Sequence, residues 1–121
     1  LPEHLALTHA LLGRTRDAQR MLSEVPAGQG DPARVAVAEA ILFLRAGEAA
    51  SAREKLNTFE VKQLAGTLGA LARTLDALCI EQLTGELRHV DRVALFGTTG
   101  PEDLRKAWPE LIAFVERAPQ W

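Results

Sequence analysis

The residues able to do chemistry are few in this sequence, and their spacing gives them little to do together. His4 and His9 lie five positions apart, which sets them on different faces of a helix and suits no helical metal pair. His9 is better placed as a packing residue. His89 and Asp91, in "RHVDR", are two apart and would diverge on a helix, as an exposed charged face does. Ser23 and Ser51 are the only serines, and both fall at helix positions without an activating motif. The glycine pattern "FGTTGP", residues 96–101, lacks the lysine and the preceding strand that a phosphate loop needs. Cys79 sits in the apolar run "LDALCI", which favours a buried, inert thiol over a reactive one. Carboxylates are plentiful, but no pairing for acid–base work is readable from their order. The sequence supports neither catalysis nor a cofactor or metal site.

The composition is that of a helical protein. Hydrophobic residues make up 47 % and charged residues 25 % of 121 positions, ordinary values for one globular domain. Ala, Leu, Arg and Glu dominate, tyrosine is absent, and few β-branched or aromatic residues are available to cover a sheet. The excess of arginine over lysine fits a GC-rich, bacterial-type genome. A net charge of −2 without a basic run argues against nucleic acid as a partner. The best membrane candidate, Val61 to Ile80, is interrupted by Lys62, Arg73 and Asp76, so no membrane insertion is expected. The chain opens on Leu1 rather than methionine and is expected to be a piece of a longer protein; the location expected for it is cytoplasmic.

Apolar spacing predicts the elements that must position these residues. One helix is expected from about Glu3 to Leu12, a second from Thr15 to Val25, a third from Ala33 to Ala46 and a fourth from Ala49 to Thr58. Pro26, Gly28, Gly30 and Pro32 make the turn between the second and third. Gly13 and Gly47 then fall between helices, where the chain reverses and a positive φ suits glycine.

A shift of 34 residues superimposes Ala6 on Ala40, Gly13 on Gly47, Ala18 on Ala52 and Leu22 on Leu56. The same shift brings Leu7 onto Ile41, His9 onto Phe43 and Val25 onto Phe59. These paired positions resemble those of tetratricopeptide repeat proteins, with two units over Leu5 to Phe59. In that likeness the alanines are the small residues of the helix crossings, His9 and Phe43 fill the space beneath them, and Leu22 and Leu56 pack behind. The departures are a missing early aromatic, Glu39 where the second unit would carry leucine, and Pro32 standing two positions late.

Beyond Phe59 the period fades. "VKQLAGTLGALARTLDALCIEQL" reads as one long segment, and Gly85 marks a degenerate third turn followed by a helix to about Leu95. Ala65, Gly66, Gly69 and Ala70 form small-residue pairs four apart, suited either to close packing on the second unit or to a dimer seam. "GTTGPEDL" is a helix start, with Thr99 able to cap, Pro101 in the first turn and Glu102 at capping-box distance. Pro109 should kink the last helix or split it after Trp108, and the final segment should cover the open side of the last hairpin.

The expected fold is therefore all-α: one domain, a right-handed superhelix of antiparallel hairpins with a C-terminal capping helix. The resemblance implies a non-enzymatic scaffold that holds a partner's helix or peptide in the groove of the first helices. Carried over position by position, that groove takes Glu3, Leu7, Ala10 and Leu11 from one unit. The other gives Arg34, Val37, Ile41, Leu44 and Arg45. Leu7, Leu11, Val37, Ile41 and Leu44 would form an apolar strip edged by the two arginines. That strip is equally open to cover by preceding repeats, by the chain's own end segment or by a second copy. The alternative function is accordingly a structural or oligomerisation domain with a self-filled groove, for which a homodimer is one form.

Overall fold

Repetition extends to individual backbone hydrogen bonds in the computed structural model, which describes residues 1–26, 28, 30–58, 60–90 and 101–119. Helix α1 (Pro2–Leu11) ends at Gly13, with φ +79°, and there the Gly13 amide donates to Ala10 and the Arg14 amide to His9. Helix α3 (Pro32–Arg45) ends at Gly47, with φ +81°, and the Gly47 amide donates to Leu44 and that of Glu48 to Phe43. Each is the paired-bond helix stop in which a left-handed residue satisfies two orphan carbonyls. All four donor and acceptor positions differ by the same 34 residues. Past these stops the chain turns into α2 (Thr15–Ser23) and α4 (Ala49–Thr58), each begun by an equivalent bond, Ala18 to Arg14 and Ala52 to Glu48.

Alanines set how closely these hairpins pack. Ala6, Ala18, Ala40 and Ala52 are all fully buried, so α1 lies tightly on α2 and α3 on α4, while α1 also packs along α3. Helix α3 starts where Asp31 Oδ1 accepts from the Ala33 amide at 3.0 Å and the Arg34 amide at 3.4 Å, with Pro32 in the first turn.

The connection to α5 (Gly66–Thr84) departs from the sequence reading. In place of one unbroken segment, Val61–Gln63 form a 3-10 turn behind Glu60, whose φ of +53° is left-handed, and the α-helix begins only at Gly66. Val61 plugs into the core from this turn. Gly69 is there for closeness: a Cβ at that position would stand 1.8 Å from the Leu64 carbonyl oxygen. Its close approach is thus to the chain's own connection. Arg73 Nη1 holds the same connection by donating to the Lys62 carbonyl at 2.8 Å and the Leu64 carbonyl at 3.2 Å.

Helix α5 stops at Gly85, but no helix starts there. Residues 85–89 are irregular, so the expected third hairpin does not form over them. The rest of that expected helix, up to Leu95, and the Thr99 cap lie outside the described residues, as does Phe59. The Val90 amide donates to the Pro119 carbonyl at 3.0 Å, tying this segment to the C-terminal end.

The last helix is divided as Pro109 requires, into α6 (Pro101–Ala107) and α7 (Pro109–Arg117). Leu104, Trp108, Leu111, Ile112, Phe114 and Val115 are buried in the same apolar cluster as the inner faces of α1, α3 and α5. The fold is all-helical, with no strand among the described residues, and no described helix is long and apolar enough to cross a membrane.

Candidate functional site

The residues carried over as a groove come together, as one face of α1 and α3, and that face is inside the molecule. Leu7 and Leu11 are 3 % and 1 % exposed, Val37 and Ile41 fully buried and Leu44 5 % exposed, with no partner chain present. Glu3 and Ala10 are buried too. Arg34 stays at the start of α3, half-buried, with its Nε 3.3 Å from Asp31 Oδ2.

Arg45 shows what closes the face. Its Nε donates to the Ala10 carbonyl at 2.9 Å and one Nη donates to Leu11 at 2.8 Å, both at the end of α1. The same Nη reaches the Ala107 carbonyl at 3.1 Å, and the guanidinium stacks over the Trp108 ring at 4.5 Å. One planar cation thereby pins the α6–α7 junction against the ends of α1 and α3. Burial lowers the Arg45 pKa, against the opposing pull of Glu110. A Cβ at Gly13 would meet Arg45 Nη1 at 3.5 Å, ordinary van der Waals contact, so the glycine is needed for its positive φ and not for room.

The open apolar surface lies elsewhere, across the outer side of α3. Helix α2 packs on α1 and only grazes α3, so a trough runs between α2 and α4 with α3 as its floor. Two cavities, of about 360 and 530 Å³, meet at Glu39. Val35, Glu39, Leu42 and Ala46 line the floor at steps of four, three and four, the spacing with which one helix receives another. Leu22 of α2 and Lys55 of α4 stand on the two walls. Leu22, Val35, Leu42 and Phe43 are only half-buried. Helix α3 has 14 residues, which gives the trough a length of about 21 Å.

Charge in the trough is mainly acidic. Glu39 pairs with Lys55 at 3.6 Å, while Glu48 at the far end forms no ion pair among the described residues. In the sequence Glu39 reads only as a departure from the repeat, and Leu42 only as one apolar residue among those of the third helix. The heptad-like spacing was present, but spacing alone does not say which face of α3 the neighbouring helices leave bare.

The histidines stay apart from both surfaces: His4 is exposed on α1, and His9 is half-buried with its Nδ1 lacking a protein partner. Cys79 is buried in α5, where desolvation and then the nearby Asp76 carboxylate push its pKa up to about 12. No group of three or more potential metal ligands assembles among the described residues. No protein-family model matches the chain, and neither a curated protein nor a solved structure does.

Proposed function

We propose that this chain is a non-catalytic interaction scaffold built as a right-handed, tetratricopeptide-like array of hairpins, and that it receives an amphipathic helix of a partner protein. The observation that carries this reading is the trough across α3, helix-length, open, and apolar on its floor apart from Glu39. Helix-in-groove recognition needs an apolar stripe at three- and four-residue spacing, which Val35, Leu42 and Ala46 supply. Glu48, the trough carboxylate without an ion pair among the described residues, selects a partner helix with lysine or arginine beside that stripe. The first-helix strip from Leu7 to Leu44 would take a ligand only after α6 and α7 lifted away.

A second reading, a structural domain whose groove is filled by itself, draws on the burial of that same strip. Fluorescence anisotropy with two synthetic amphipathic helices separates the readings, one helix edged with lysine and the other with glutamate. The scaffold reading expects saturable binding that favours the lysine-edged helix about tenfold and is abolished by Leu42→Glu, with thermal unfolding still cooperative. Binding of neither helix would leave the structural reading.

A further inference from the structure

Along α5 a separate cavity of about 230 Å³ gathers the basic side chains Lys62, Arg73 and Arg88, with His89, around one carboxylate, Asp76, over an apolar base of Ala77 and Ile80. This is a concentration of positive charge in a chain whose net charge is −2. Asp76 is not available to neutralise it further. It is 8 % exposed, and both its oxygens are occupied, Oδ1 by Arg53 Nε at 3.1 Å and Oδ2 by Lys62 Nζ at 3.3 Å. Arg88 leans on Glu86 through Nε at 3.0 Å. The cavity's own lining therefore carries three cations and one carboxylate, an excess of positive charge that suits an anion.

The cavity is also held in shape. Arg73 is fixed through Nη1 to the two carbonyls of the 3-10 connection, and Gly69 draws that connection down onto α5. A guanidinium anchored this way is pre-oriented for an oxyanion, and arginine forks match phosphate geometry. The volume exceeds the roughly 30 Å³ share of a water molecule and falls below the roughly 300 Å³ at which pockets for larger organic ligands begin. We propose that this cavity binds a phosphate dianion, either free phosphate or the phosphoryl group of a small ester, between Lys62, Arg73 and Arg88.

The test is amide NMR of the full chain titrated with sodium phosphate or methyl phosphate at constant ionic strength, with chloride as the reference anion. The expected result is saturation with a Kd of about 1 mM, with shifts centred on residues 62, 73, 77 and 88. Arg88→Gln, an exposed position outside the helices, should weaken binding about tenfold. Asp76→Asn, which removes the opposing charge at equal size, should tighten it. Methyl phosphate binding as tightly as free phosphate assigns the site to an ester, and tenfold weaker binding assigns it to free phosphate. Linear shifts without saturation, or binding indifferent to Arg88→Gln, would overturn the proposal.

Discussion

Replacing Arg45 with methionine keeps the apolar stem and removes every bond the guanidinium makes. Three hydrogen bonds are lost, to Ala10, Leu11 and Ala107, each worth about 1 kcal/mol net. The stacking on Trp108 adds about 0.5–1 kcal/mol. Two terms give part of this back. The carbonyls at the end of α1 lie beside exposed Gly13 and Arg14, where water can replace the lost donor, and a desolvated charge is removed. The net destabilisation should be about 2 kcal/mol, which for a domain of this size lowers Tm by about 8 °C. Arg45→Lys should recover less than half, because an ammonium does not present a planar fork to three carbonyls on two segments. The acceptors are carbonyls rather than carboxylates, so urea unfolding in low salt and in about 1 M NaCl should give nearly the same loss. A methionine variant within about 0.5 kcal/mol of the parent would refute this account of the latch.

Glycine substitutions should fall in a definite order. Gly47→Ala meets open space and suffers only the left-handed backbone penalty of about 1–2 kcal/mol, whereas Gly69→Ala strikes the Leu64 carbonyl and should cost about 3 kcal/mol or more; chemical denaturation ranks them. Cys79 should resist a thiol reagent in the native state and react at once in denaturant. Its raised pKa also fixes the sign of a pH effect. Above pH 9 the unfolded chain loses a thiol proton that the folded chain keeps, so this contribution to stability falls between pH 9 and about 12, by up to roughly 1.4 kcal/mol per unit. Cys79→Ala should flatten that part of the stability profile measured by denaturant titration.

Much of the helical order was legible because the glycine and alanine positions are backbone requirements that few other residues meet. Gly13 and Gly47 mark reversals in the sequence and are left-handed helix stops in the structure, and Pro109 divides the last helix. The region after Phe59 was harder. Val61 is apolar and in helical phase with α5, yet it belongs to a 3-10 turn whose geometry depends on Gly69 leaving room for the Leu64 carbonyl and on Arg73 donating to two carbonyls. Those are tertiary effects, invisible to periodicity. Gly85 stops a helix just as Gly47 does, but the residues after it lack a periodic apolar face, and they remain irregular.

The candidate site shows the same division. Leu7, Leu11, Val37, Ile41 and Leu44 were readable as one face, and the chain's own end segment stood among three possible covers, but no local pattern selected it, since it comes from residues roughly sixty to a hundred positions later. The arginine expected to meet a partner's acid meets backbone carbonyls and an indole instead. The half-buried α3 seam is open because α2 leans on α1, a packing choice no local pattern encodes.

Closure of the hairpin groove by the chain's own C-terminal helices is most directly tested by NMR on the indole of Trp108. The account predicts Overhauser contacts from that ring to the Arg45 side chain, with ring-current upfield shifts of the Arg45 Hδ protons. A Trp108 ring without contacts to Arg45, and Arg45 resonances at random-coil positions, would contradict it.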